Sequence, residues 1–203
     1  MKKRILLLVF LSYALSPLMA NMVNNGGFEA DFTAWRGYAV GGCTTEFTIV
    51  NDAYEGDKAA SMNVTYIDYP AQPGHDTALD KRTDMIVIGS ETDLNISFAA
   101  KKVDSDPASR LRVVTIQFDS NTAPLMSTRT QVDYVVTSDE YQLFSFDLDS
   151  LHDDAVSLNI QFTVADNAGQ KYEGQYYIDA VNVVPEPMTA ILFAVGGLFL
   201  KRK

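Results

Sequence analysis

The chain has 203 residues, 47% of them hydrophobic, with 26 Asp+Glu against 16 Lys+Arg for a formal net charge of −10. So acidic a surface repels polyphosphate backbones and anionic lipid, which argues against nucleic-acid binding. It suits divalent cations, or simply keeps an exported protein soluble. Cys43 is the only cysteine, so no intramolecular disulfide can form; it is expected as a buried, inert thiol.

In chain order, Lys2, Lys3 and Arg4 precede an apolar run from Ile5 to Leu15 and then Ser16-Pro17-Leu18-Met19-Ala20. A basic start, a short apolar stretch and small residues before a break describe a secretory signal peptide over residues 1–20, with cleavage expected after Ala20. The run is too short for a helix rising ~1.5 Å per residue to cross a ~30 Å hydrocarbon core.

Residues 21–184 then read as one β-rich domain, long enough for a core of its own. Strands are expected at Glu46–Val50, Ala60–Ile67, Asp84–Ile88, Leu94–Phe98, Leu111–Asp119, Gln131–Val136, Phe144–Leu148, Val156–Val164 and Gln175–Val184. The clearest is Val156–Val164, where Val156, Leu158, Ile160, Phe162 and Val164 alternate with polar residues at period two. β-Branched and aromatic content supports the others. Turn signals stand at Gly89-Ser90, Asp104 to Ser109, Asn121 to Pro124 and Asn167-Ala168-Gly169. No segment of the body sustains a 3.6-residue apolar period. Eight to ten short strands at this spacing predict an all-β fold, an antiparallel β-sandwich.

The chain closes on Pro185-Glu186-Pro187, an uncharged stretch from Met188 to Leu200, and Lys201-Arg202-Lys203. The stretch is again short for a full span, and the terminal basic residues favour the cytoplasmic side. This order resembles the PEP-CTERM sorting signal of Gram-negative bacteria. The resemblance covers Val184 to Lys203 and implies recognition by an exosortase-type membrane protease, transient membrane anchoring through a short C-terminal helix, and association with exopolysaccharide at the envelope or in the extracellular matrix. A simple tail anchor is the other reading.

Three segments of the body carry more than pattern: Asn24-Asn25-Gly26-Gly27-Phe28-Glu29 with nearby Trp35, the turn at Tyr54-Glu55-Gly56-Asp57-Lys58 entering an Ala-rich strand, and Tyr176-Tyr177-Ile178-Asp179-Ala180-Val181. Together they resemble the galactose-binding-like jelly rolls, especially carbohydrate-binding modules of the family 4, 9 and 22 type. What the resemblance implies is a jelly roll whose first and last strands meet and hold a structural calcium. Glu29 and Asp179 would be the side-chain ligands, the Gly27 carbonyl would join them, and a carbonyl of the Asp57–Lys58 turn is a weaker match. Calcium takes 6–8 oxygen ligands, so such a mixture is chemically reasonable. The two carboxylates could equally be strand-end groups served by backbone donors.

The glycan-binding face is not marked by motif. Sugar sites stack flat aromatics on rings and ring them with polar groups, which makes Trp35, Tyr66, Tyr69, Tyr172 and Tyr176 the candidates. Each could instead be core or rim, and Trp35 is expected to pack. Catalysis is not expected. His75 and His152 are the only imidazoles, and neither lies in a nucleophile-elbow or paired-ligand context. The sequence thus predicts an exported, non-catalytic polysaccharide-binding module, with a structural or adhesive surface protein as the alternative and a glycan hydrolase behind it.

Overall fold

A computed structural model describes residues 21–39, 44–66, 77–89, 91, 93–105, 109–149, 151–165 and 173–185. The expected signal peptide, the tail from Glu186 onward, Cys43, Tyr69, His75 and Tyr172 lie outside the described residues.

The described residues form eleven strands and no helix: β1 (Arg36–Tyr38), β2 (Thr44–Val50), β3 (Ala59–Tyr66), β4 (Ala78–Asp80), β5 (Ile86–Val87), β6 (Leu94–Ser105), β7 (Arg110–Phe118), β8 (Pro124–Tyr134), β9 (Gln142–Leu148), β10 (Ser157–Ala165) and β11 (Gly174–Pro185). They make two antiparallel sheets. One runs β1-β4-β10-β7-β8, with β5 also paired to β10; the other runs β2-β3-β11-β6-β9. The expected all-β sandwich is therefore present, as a jelly roll.

The alternation read from the sequence fixes which side of each strand faces in. Leu158, Ile160, Phe162 and Val164 of β10 lie in the same core as Leu94, Ile96 and Phe98 of β6 and Tyr176, Ile178, Val181 and Val183 of β11. Aromatic rings join the sheets across the middle: Phe98 lies 5.5 Å from Phe144 and 5.1 Å edge-on from Phe162. Such offset and edge-to-face pairs add about 0.5–1.5 kcal/mol each beyond the area they bury.

Several expected bounds move. β6 continues past Phe98 to Ser105, and β8 starts at Pro124 instead of Gln131. The early part of β8 hides because its ladder with β7 breaks: Thr115 pairs Thr130 and Gln117 pairs Leu125, leaving residues 126–129 opposite Ile116 alone. An interruption of that size destroys period-two patterning. β1 and β4 are too short to show a period at all.

Candidate functional site

The opening segment reaches β11 through a bulge. The register of β11 against β6 shifts between Asp179 and Asn182, with Ala180 in the left-handed region at φ 49°. The bulge frees the Val181 N–H, which donates to the Gly26 carbonyl at 2.9 Å. Gly26 has to be glycine here, since an added Cβ would stand 2.0 Å from the Val181 carbonyl oxygen. Asn25 ties the rest of the segment, its amide donating to the Asp31 and Thr33 carbonyls while its own carbonyl accepts the Trp35 indole N–H at 2.9 Å.

This junction places Glu29 and Asp179 on either side of Gly27, whose hypothetical Cβ would lie 3.8 Å from Asp179 Oδ1 and 4.0 Å from Glu29 Cγ. The turn between β2 and β3 closes over both. Tyr54 and Glu55 N–H donate to Asp179 Oδ2 at 2.8 and 2.9 Å, and Asp57 and Lys58 N–H donate to Glu29 Oε1 at 2.7 and 3.0 Å. Ala180 N–H donates to Asp179 Oδ1. Gly56 makes the turn at φ 75°, and a Cβ there would stand 2.2 Å from Glu29 Oε1.

Asp179 is fully buried. Burial pushes its carboxyl above the ordinary 3.8, opposed by the three amide donors and assisted by the nearby charge of Glu29. Two neighbouring carboxylates, one buried, are what an added cation would relieve. Glu29 Oε2 has no hydrogen-bond donor among the described residues. These features fit a cation. No group of three or more acidic, His or Cys side chains is placed to hold a metal ion among the described residues. The remaining ligands would therefore have to be backbone carbonyls or water. Lys58 Nζ, bonded to the Glu29 carbonyl and Asp31 Oδ1 at 3.2 and 2.7 Å, already brings one positive charge to the rim.

A second arrangement covers the outer face of the β1-β4-β10-β7-β8 sheet. Paired residues of an antiparallel ladder point to the same face. Since Leu79, Phe162 and Val113 are core, their neighbours form an outward row running Arg36, Asp80, Gln161, Val114, Gln131 across five strands. Beside it, Thr163 pairs Arg112, and Arg112 pairs Asp133. Both arginines make fork-like contacts. Arg36 Nε and Nη2 donate to the two Asp80 oxygens at 3.2 and 2.8 Å, and Arg112 Nε and Nη2 to those of Asp133 at 2.6 and 2.8 Å. The Arg36 guanidinium lies 5.0 Å from the Tyr38 ring, on the same face.

Outward positions on a sheet ordinarily meet water, yet Asp80, Asn159 and Thr163 are 0%, 1% and 3% exposed. Asn159 Oδ1 is buried with no hydrogen-bond partner. A buried, unpaired acceptor costs about 1–3 kcal/mol, so this one calls for a donor.

The structure brings Gly27, Glu29 and Asp179 together. Of the stacking candidates, Trp35 packs in the core as expected and Tyr176 is corrected to a core position. Trp35 is 5% exposed, packed 5.0 Å from Phe28 and 6.1 Å from Phe162, and Tyr176 is fully buried with its hydroxyl 2.6 Å from Ser109 Oγ. Neither offers a ring face to a ligand, because both occupy inward positions. Tyr66 ends β3, and its side chain, like all of Tyr69 and Tyr172, lies outside the described residues. Pro185 is the last residue of β11, paired with Leu94, while Glu186 and Pro187 lie outside. Sequence reading missed Arg36, Tyr38, Asp80, Arg112, Asp133 and Asn159. They sit on four strands other than β8 or on β8 itself, and only strand pairing makes them neighbours.

No protein-family model matches the chain, and no curated protein matches its sequence. Among solved structures it is similar to the enzymatically active domain of tailspike protein 4 from bacteriophage CBA120, with TM-score 0.59 and 15% identity over 80% of this chain. The chain spans only 21% of that protein's length. It is also similar to the CBM22-1 xylan-binding domain of Paenibacillus barcinonensis Xyn10C, with TM-score 0.54 and 15% identity, covering 82% of this chain and 95% of that one. A CBM4 structure gives TM-score 0.54 and 18% identity over 81% of this chain and 99% of the other. The neighbours thus include several carbohydrate-binding modules, and at these identities what is shared is the jelly-roll fold.

Proposed function

We propose that this is a non-catalytic carbohydrate-binding protein whose outer β1-β4-β10-β7-β8 face contacts a polysaccharide. The observation that carries the reading is the convergence on one face of two Arg–Asp forks and Tyr38. Planar guanidinium–carboxylate pairs present donors and acceptors side by side, the complement of vicinal sugar hydroxyls. Each fork is neutral overall, which favours an uncharged glycan over a polyanion. The fold shared with a xylan-binding domain supports the same reading.

Calcium at Glu29 and Asp179 is proposed as the structural complement of this face. When bound it would offset the two carboxylates, while Gly27 and the Tyr54–Lys58 turn hold them in place. The order of Pro185-Glu186-Pro187, apolar stretch and basic end supports export and exosortase-type sorting to the envelope or extracellular matrix, in contact with exopolysaccharide.

Affinity electrophoresis of the protein in gels cast with neutral and acidic polysaccharides tests the binding claim. Retardation by a neutral polysaccharide, lost in Arg36→Ala/Arg112→Ala, is expected. Equal mobility in every gel would leave a structural or adhesive scaffold. For sorting, replacing Lys201, Arg202 and Lys203 by neutral residues should impair processing in cell fractionation, and unchanged processing would count against that route.

A further inference from the structure

A cavity of about 320 Å³ lies away from both arrangements, where the edges of the two sheets approach. One wall is residues 127–129 of the interruption in β8 together with Thr130; Leu148, Asp149 and His152, at and after the end of β9, also line it, with Gln117. Gln117 and Thr130 occupy inward register positions, opposite Leu158 and Thr115. These two lining residues therefore face the gap between the sheets.

The cavity's walls are held by specific bonds. Four residues of β8 stand opposite one residue of β7, which costs ladder hydrogen bonds. Thr128 compensates: its hydroxyl accepts the Gln117 N–H at 3.1 Å and donates to the Leu125 carbonyl at 2.6 Å. Gln117 Oε1 in turn accepts the His152 N–H at 2.8 Å, tying the facing loop to β7. Thr115, the ladder partner of Thr130, is buried with its hydroxyl unpaired.

We infer that this cavity is a second ligand site, taking a single neutral sugar residue such as the end of a glycan chain. Its lining combines the hydroxyls of Ser127, Thr128 and Thr130, the Gln117 amide, the His152 imidazole, one guanidinium and one carboxylate with a single apolar side chain, Leu148. Arg129 and Asp149 offset each other, so no net charge selects an ion. The volume stands at the low end of the roughly 300–1,000 Å³ of ligand pockets, which suits one ring and not an extended chain. The site goes beyond the sheet-face reading and does not depend on it.

Saturation-transfer NMR of the full-length protein with free glucose, galactose, mannose, xylose and N-acetylglucosamine tests it. At least one sugar is expected to bind, with Kd raised about tenfold or more by Arg129→Ala or Asp149→Asn. Both pocket substitutions fall on exposed residues, and a matching thermal melt checks that the fold is intact. No signal from any of the five sugars overturns the proposal. So does a signal that survives both pocket variants and disappears in the face variant. Arg129-dependent binding of inorganic phosphate without sugar binding would make the cavity an anion site and overturn it as well.

Discussion

Four carboxylates define two regions of this molecule, and they are satisfied in opposite ways. On the sheet face, Asp80 and Asp133 each receive an arginine fork. At the junction of the opening segment with β11, Glu29 and Asp179 receive only backbone N–H groups. An arginine neutralises its partner, whereas an amide stabilises a carboxylate without removing its charge. The face is thus electrically complete and offers hydrogen-bonding geometry. The junction keeps a residual negative charge, with one lysine at its rim, and joins parts of the chain more than a hundred residues apart. The first arrangement suits a neutral ligand and the second a cation.

The largest effect expected lies in the packing behind the junction. Trp35→Ala should cost about 3–5 kcal/mol, because it removes a buried ring between Phe28 and Phe162. Chemical denaturation followed by far-UV circular dichroism would measure it. Lys81 enlarges the loss: its fully buried ammonium lies 5.1 Å from the Trp35 centroid, donating to the Asn24 carbonyl and Asp84. A cost below about 1 kcal/mol would mean that Trp35 is not core.

Asp179 comes next. Asp179→Ala should destabilise by roughly 2–3 kcal/mol, since buried amides lose their acceptor. A cation that binds only the folded state should add about 2.7 kcal/mol at a hundredfold excess over its Kd, and this increment should vanish in the variant. Thermal melts in chelator, calcium and magnesium separate the two effects, with magnesium a poor substitute because of its tighter octahedral demand. The pH dependence carries a sign. A carboxyl whose folded pKa is raised above 3.8 is a burden on the folded state at higher pH. That burden is relieved as pH falls through the raised value towards 3.8. Without calcium, wild type should therefore gain stability relative to Asp179→Asn over that window. With calcium bound the carboxyl is held ionised, and the slope should reverse.

Gly56→Ala should cost about 1–2 kcal/mol for the left-handed φ alone. It should also weaken any calcium response, because the new methyl displaces Glu29. A full calcium response in Gly56→Ala would place the cation elsewhere.

Much of the junction was legible in the sequence and almost none of the face was. Glu29 and Asp179 each sit in a motif local to the chain, and the resemblance those motifs carry implied that they meet. Leu158, Ile160, Phe162 and Val164 likewise announced β10 by alternation. The row from Arg36 to Gln131 is different. Its members come from β1, β4, β10, β7 and β8, and their adjacency is a product of strand order and register. Two of those strands, β1 and β4, are three residues long and carry no period. Aromatic residues were a misleading guide for the same reason. Tyr176 looks like a platform by type, but inward register buries it, while Tyr38 gained its place only when β1 paired with β4.

The smallest stability effect is expected on the face, and that smallness is informative. Arg112 and Asp133 keep side-chain exposures of 23% and 26%. Breaking such a partly solvated pair with Arg112→Ala should therefore cost about 1 kcal/mol or less. Arg36→Ala should cost more, because it leaves Asp80 fully buried with the Arg82 N–H as its remaining donor. A double-mutant cycle over Arg112 and Asp133, read by denaturant melts, gives the coupling directly. If the pair exists to present hydrogen-bonding groups, polysaccharide affinity should drop in Arg112→Ala while the midpoint barely moves. A fall of several kcal/mol with affinity intact would make the fork a stabilising brace. Ligand recognition on this face would then rest on Tyr38 and Gln161, the aromatic and polar groups left beside it.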